Sequence, residues 1–479
     1  MTENKMAKGT FYLMIAQFIF LGSGYFIHFA LARAVKPAEY GQFGVILGLL
    51  LLAQIFLNMG IPEAVSKFIS EGRDSKSVKI KSLKIQIIFS IFFFMIVFIS
   101  APYLASLLRD SELTNYIRFA AFIIPVRAIF SVFRGVLNGF RKFTKTATTN
   151  LINAVTRLVF ALLFILLGFG IYGALGGFIV GAGIAMFFSI IFSMKNKKGK
   201  KISAKEIVNF SYPMIGFAAC YTAIMNFDIL FVKALVVNEA MIGYYTSAKT
   251  ISSIIFGVAI ALTVTLLPSV SKAFADKNLV RIKSYISESL RSMTIVITPI
   301  LVILIFFSGN ILTFLFPDEY FIAASSLSVL TMGVIFVTYF VILGSIINGS
   351  GTPIISFIFG LILLTLSGVL YYVLISRYGI IGGAYSVLIV GFLGLILFSS
   401  AVYKRFKELI KINTLLRVVF SGFVISLVSF VLDYLNLVTK ISLIPFCFLI
   451  FGLYLLILIM VKELSIKEIV NLKQFFVKK

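Results

Sequence analysis

Residues 116–138 read YIRFAAFIIPVRAIFSVFRGVLN, an apolar run that nevertheless holds three arginines. A spanning helix needs about 20 mostly apolar residues, which this run supplies. At about 100° per residue, Arg127 and Arg134 fall on one face, joined there by Ser131 and Asn138. Arg118 points nearly the opposite way, close enough to the helix end to snorkel toward the headgroups. An arginine at mid-bilayer costs at least about 2.5–3.5 kcal/mol. Two on one stripe therefore face a wet cavity or buried partners, and such a stripe points to an anion on its path.

The rest of the chain is of the same kind. It has 479 residues, 60% of them hydrophobic, and a formal charge of +25; its mean hydropathy is +1.07. A soluble chain would be about 45–50% apolar and would not gather its apolar residues into long blocks. This is an all-α, polytopic membrane protein. The excess of lysine and arginine is then a topology signal and a match for anionic lipid, not a mark of nucleic-acid binding. Cys220 and Cys447 fall inside apolar blocks, which argues against a disulfide framework or metal site. The polar start, Met1–Gly9, leads into a run too long for a signal-peptide core, so the first helix is expected to be retained.

Fourteen spans are expected, at 10–34, 42–65, 85–108, 116–138, 147–169, 173–194, 207–234, 243–270, 290–316, 321–348, 354–376, 380–403, 414–434 and 442–461. The basic residues then sort by side. One side holds only Arg33, Lys36, Arg109, Arg118, Lys233, Arg377 and Lys440, and the other holds 32. Arg127, Arg134, Arg157 and Lys249 are interior. By the positive-inside rule both termini are cytoplasmic, in the cell membrane. Loops on the outer side, such as Gly170–Tyr172 and Pro317–Tyr320, are too short for a domain. The tail from Leu464 to Lys479 reads as an amphipathic helix with Ile466, Ile469 and Val470 on its apolar side.

The chain also repeats. Leu137-Asn138-Gly139 matches Ile347-Asn348-Gly349, and Ile179-Val180-Gly181 matches Ile389-Val390-Gly391, both offset by 210. Tyr40-Gly41 answers Ile242-Gly243, and Pro62 answers Pro268. Spans 1–6 and 7–12 are two copies in the same orientation. This implies a first lobe at 1–194, a cytoplasmic linker at 195–206, a second lobe at 207–403, and an extra pair with its tail at 404–479. Parallel repeats place a substrate site near the midplane between two lobes that rock to alternate access.

Leu31-Ala-Arg-Ala-Val-Lys-Pro-Ala-Glu-Tyr-Gly-Gln-Phe43, just after span 1, resembles the hallmark that follows the first helix in polysaccharide-biosynthesis flippases. These are the O-antigen and lipid-linked oligosaccharide flippases of the multidrug/oligosaccharidyl-lipid/polysaccharide exporter superfamily. The resemblance implies lobes like those of the multidrug exporters. It also implies movement of a polyprenyl-(di)phosphate-linked oligosaccharide from the cytoplasmic to the outer leaflet, with glycan-assembly enzymes as partners. The related antiporters usually have twelve spans, so the extra pair favours the lipid-linked branch. A cation-coupled multidrug antiporter is the alternative, and would want acids where the first lobe has arginines. A membrane glycosyltransferase or polymerase would need a large loop with catalytic acids, and the outer loops are short.

Span 5 adds a second polar stripe, Asn150, Asn153 and Arg157. Guanidinium groups suit phosphate oxygens and amides suit sugar hydroxyls, so the two stripes form one candidate substrate pocket. Without a ligand, the same residues would bond one another and nearby backbone. The 210 offset carries Arg127 and Arg134 onto Val337 and Gly344, so the second lobe lacks the stripe. Lys249 and Asp228 lie at similar depth on adjacent spans, as an ion pair or as a substrate and coupling pair. His28, the only histidine, is a packing residue or a proton carrier. No nucleotide loop, dinucleotide fingerprint or metal spacing occurs, so neither catalysis, a metal nor a cofactor is expected.

Single cysteines in the 195–206 linker should react only with permeant thiol reagents, and one at 317–320 with impermeant reagents. Labelling of the linker from outside would overturn the orientation.

Overall fold

The computed structural model describes residues 3–465, so the expected tail helix lies outside the described residues from position 466 onward. Seventeen α-helices follow one another among the described residues: α1 (Glu3–Ala34), α2 (Pro37–Asn58), α3 (Ile61–Ser70), α4 (Ser75–Leu107), α5 (Leu113–Ala121), α6 (Ile123–Gly139), α7 (Phe143–Phe164), α8 (Gly170–Phe192), α9 (Ala204–Leu235), α10 (Glu239–Ala275), α11 (Leu279–Phe306), α12 (Ser308–Leu315), α13 (Ala324–Gly349), α14 (Pro353–Tyr378), α15 (Ile380–Phe406), α16 (Ile412–Tyr434) and α17 (Leu443–Met460). No strand occurs among the described residues.

The helices are patterned for lipid. α4 buries Ser82, Gln86 and Ser90 while Ile88, Phe92 and Ile99 stand exposed, the reverse of a helix on a water-soluble core. Buried hydroxyls bond back to their own helix, as Ser90 does to the Ile87 carbonyl and Ser429 to the Ile425 carbonyl. Such bonds are how a short polar side chain avoids an unmet donor in hydrocarbon. Helix ends follow local rules as well. Arg141, Lys277, Lys407 and Lys462 sit just past helix C-termini with positive φ, where a cation meets the negative end of the helix dipole.

Among the described residues, twelve stretches are long and apolar enough to cross a membrane. One of the twelve, Phe143–Phe192, runs 50 residues. It folds back at Gly168 (φ 86°) and Gly170 (φ 48°), so the turn lies before the expected Gly170–Tyr172 loop. The α7–α8 hairpin closes tightly: a Cβ on Gly177 would stand 2.5 Å from Ala161, and one on Gly181 would stand 2.7 Å from the Arg157 Cβ.

Two expected spans are interrupted. The second ends early at Asn58, because Gly60 turns the chain at φ 89° and Pro62 starts α3. A side chain at Gly60 would meet Ser211 of α9 at 2.9 Å, so only glycine permits this turn at this distance. The repeat offset places Leu266 opposite Gly60, and α10 runs on unbroken through that region. The fourth span divides at Phe122, three residues before Pro125, which separates Arg118 on α5 from the arginines of α6.

The chain packs as two compact units, Met1–Thr246 with Gly360–Gly383, and Ser247–Phe359 with Ala384–Lys479. This division runs through α10, α14 and α15, whereas counting repeats places the boundary at 195–206. Within the first unit that linker is tied down. The amides of Asp74 and Ser75 donate to the carbonyls of Lys200 and Lys197, and Lys81 donates to Ile202 O at 2.6 Å. Ser203 and Glu206 then form a reciprocal cap that starts α9.

Gly177→Val should lower the melting temperature of the detergent-solubilised protein by several degrees, because overpacking typically costs about 1–3 kcal/mol. Gly183→Ala, on the same helix with open space at its Cβ, should leave it unchanged or raise it. Equal effects would refute the close hairpin.

Candidate functional site

The break after Asn58 shapes the site. It leaves the Leu57 carbonyl without its helical partner, and two side chains meet it: Gln86 Nε2 donates at 2.6 Å, and the Ser131 hydroxyl lies at 3.1 Å. Gln86 also donates to Ser131 at 3.3 Å. Ser131 is therefore held in a buried polar knot and is not displayed beside the arginines. Asn138 is likewise engaged, its Oδ1 accepting from Thr146 at 2.9 Å across the α6–α7 turn.

Arg127 and Arg134 differ. Neither makes a hydrogen bond or an ion pair among the described residues, and Arg127 Nε is buried without any partner. Arg134 stands over the Phe130 ring at 6.0 Å. Close packing brings α3 alongside: a Cβ on Gly135 would stand 2.5 Å from the Pro62 carbonyl. This sets Glu63, in the first turn of α3, within electrostatic reach of Arg134. One Glu63 oxygen is itself buried without a partner. Arg127 repels Arg134 on one side and Arg157 on the other.

Arg157 is a packing residue in this structure. It donates to the Phe20 carbonyl at 2.5 Å and to the Ser23 hydroxyl, and lies over the rings of Phe20 and Phe178 at 4.2 and 4.9 Å. It thereby pins α1 against the α7–α8 hairpin. Asn153 and Asn150, on the same helix, have no side-chain hydrogen bond among the described residues; Asn153 is buried. His28 sits edge-on to Tyr40 and Phe43, with Nδ1 3.0 Å from the Tyr40 hydroxyl. Asp228 accepts from Tyr245 at 2.8 Å, and Lys249 lies half-buried past the division, in the second unit. Arg118 rests over the Phe98 ring at 5.3 Å instead of reaching for headgroups.

Sequence reasoning missed a charged cluster in the first unit, on the side of the helices that carries few basic residues. Lys233 of α9 is buried against Asp110 at 2.7 Å and reaches Glu239 at 3.3 Å. Gln42 of α2 donates to Asp110 at 2.8 Å and to Glu112 at 3.2 Å. Beside it the repeat-related segments meet backbone to backbone: a Cβ on Gly41 would stand 2.7 Å from the Gly243 nitrogen. The available signal was four ionisable residues on the sparsely charged side, Asp110, Glu112, Lys233 and Glu239, at or beside short connections. Burial works against the Asp110 charge, yet the bonds from Lys233 and Gln42 outweigh it and hold the carboxyl below its ordinary 3.8. A carboxylate lowered in this way contributes stability above that ordinary value and loses it as pH falls through the lower folded value.

Lys233→Met or Asp110→Asn alone should destabilise the protein by about 3–5 kcal/mol, since each strands a buried charge, and the pair together should cost less than the sum. Thermal unfolding in detergent measures this, and strictly additive losses would reject the pairing.

A family model described as "Polysaccharide biosynthesis protein" matches residues 30–325. The lipid II flippase MurJ of Bacillus subtilis is 23% identical over 66% of this chain and 67% of its own. The probable low-salt glycan biosynthesis flippase Agl15 of Haloferax volcanii is 24% identical over 79% of each. Among solved structures, lipid II flippase MurJ in an inward closed conformation superposes with a TM-score of 0.76. It covers 94% of this chain and 99% of its own at 20% identity, a likeness of fold. With more than half its length matched and the fold in agreement, this chain belongs to the polysaccharide biosynthesis protein family.

Proposed function

We propose that this multi-pass membrane protein flips a lipid-linked oligosaccharide, with a polyprenyl-(di)phosphate carrier, from the cytoplasmic to the outer leaflet by alternating access. The observation that carries the reading is the pair of guanidiniums on one face of α6, Arg127 and Arg134, that make no hydrogen bond or ion pair among the described residues, Arg127 Nε being buried without a partner. They lie about 10 Å apart along the helix axis, running from mid-membrane toward the cytoplasmic end. A diphosphate leaving the inner leaflet loses its hydration there and gains forked, charge-assisted bonds in return. Asn150 and Asn153 offer unused amides to sugar hydroxyls on the neighbouring helix. Glu63 moderates one of the two positive charges and leaves Arg127 without an acidic counterpart. A cationic drug would meet two guanidiniums against one carboxylate, which disfavours the multidrug antiporter.

The flippases among the relatives support the same class of transporter, not an enzyme. In this reading the Asp110–Lys233 cluster and the Gly41–Gly243 crossing close the outer end while substrate loads from inside. The protein acts in the cell membrane with both termini in the cytoplasm, receiving substrate from glycan-assembly enzymes. An inside-negative potential would favour export of the diphosphate by about 2.3 kcal/mol per charge per 100 mV.

Arg127→Gln and Arg134→Gln should leave the protein inserted but reduce flipping at least about tenfold, the equivalent of one charge-assisted bond. Arg→Lys should keep part of the activity, since charge survives while fork geometry does not. Arg118→Gln, on α5 beyond the bend, should matter little. Complementation of a flippase-deficient strain, with membrane protein levels measured alongside, decides it. Full complementation by the double glutamine variant would remove the anion-binding role.

A further inference from the structure

The second unit holds a charged cavity that the transport reading does not use. It has a volume of about 700 Å³ and lies among α11, the start of α16 and the end of α17. Arg291, Lys411, Arg417 and Lys462 line it, with Glu288 and Glu463 as the acids. We propose that this cavity binds the headgroup of an anionic phospholipid of the inner leaflet.

The acids do not neutralise the site. Glu463 is buried and already clamped by two arginines, Arg291 Nε at 2.8 Å and Arg417 at 3.4 Å. Glu288 accepts from Ser284 on its own helix. Arg417 also donates to the Lys462 carbonyl at 3.1 Å, so the guanidiniums are held in place rather than trailing in solvent. The ammonium groups of Lys411 and Lys462 make no hydrogen bond or ion pair among the described residues, and both are exposed. Two fixed guanidiniums beneath two unpaired ammonium groups suit a phosphodiester, which carries one charge and several acceptor oxygens.

The surroundings select a lipid over a free anion. The lysine and arginine bias assigns this end of the helices to the cytoplasmic surface, where anionic headgroups concentrate. From the cavity, α16 continues into the membrane with Leu416, Val419, Phe420 and Phe423 exposed, a face for acyl chains. Its volume falls within the about 300–1,000 Å³ usual for small-ligand sites.

The test uses the full chain in a neutral detergent, with native mass spectrometry counting retained lipid and thermal unfolding read in parallel. Phosphatidylglycerol, phosphatidylcholine and inorganic phosphate are the probes. The cavity variant is Lys411→Ser with Lys462→Gly. Lys411 is the N-cap of α16 and Lys462 has φ 58°, so serine and glycine suit those backbones and folding is preserved. Lys197→Ser with Lys198→Ser, in the linker, removes the same charge elsewhere. The wild type and the linker variant should retain phosphatidylglycerol about tenfold more readily than phosphatidylcholine, and the cavity variant should lose at least about five-fold of that preference. Equal retention by the two variants would overturn the site, because bulk charge alone would then explain it. Stabilisation by inorganic phosphate equal to that by phosphatidylglycerol would overturn the lipid assignment.

Discussion

In hydrocarbon a polar group that lacks a partner has no water to turn to, and this constraint organises the whole chain. It explains why α4 turns Gln86 and Ser90 inward and why hydroxyls such as those of Ser90 and Ser429 bond to their own helical carbonyls. It explains why the one carbonyl released by the break in the second span, Leu57, draws in both Gln86 and Ser131. Against that background, the guanidiniums of Arg127 and Arg134 on one face of α6 make no hydrogen bond or ion pair among the described residues, and the Arg127 Nε is buried without a partner. Leaving a buried donor unmet costs about 1–3 kcal/mol, and more for a charged group, which is the ground for proposing that Arg127 meets an anion there.

The three interior arginines of the first unit show how one sequence signal divides into two physical roles. Arg157 follows two asparagines on α7 and reads from sequence like a second binding stripe. In the folded chain its guanidinium reaches α1, where the Phe20 carbonyl, the Ser23 hydroxyl and two aromatic rings take it up. Gly181 makes this possible, since its missing side chain lets α8 lie against the Arg157 backbone. Arg127 and Arg134 have no such neighbours. Gly135 brings Pro62 and Glu63 close to Arg134, but at a distance that yields attraction without a bond.

The two repeats have diverged at the break in the second span and at the arginine face. The first carries Gly60, and its second span breaks into α2 and α3, bringing Glu63 toward the arginines. The second has Leu266 at that register, and α10 is continuous. The arginine stripe is confined to the first copy in the same way. Where the copies stay alike, at Tyr40-Gly41 and Ile242-Gly243, they touch, because a glycine in each strips away the side chains that would hold the helices apart.

Membrane class, helical fold, the charge bias, the repeat and the arginine face of α6 were all legible in the sequence, because each depends on local composition or on a period along one helix. The family match and the superposition agree with the helical membrane fold and the family resemblance. The interruptions were not read: Phe122 sits in an apolar run with no local break, and Gly60 with Pro62 marks a turn whose close approach to Ser211 only the neighbouring helix reveals. Nor could the sequence separate Arg157 from Arg127, or Ser131 and Asn138 from the arginines beside them. Residues on one helical face share a direction, but whether each finds a partner depends on which helix lies opposite. The same holds for Asp110 and Lys233, 123 positions apart in the chain and 2.7 Å apart in space. Periodicity fixes direction along a helix, and only packing between helices decides which charges are satisfied and which remain available.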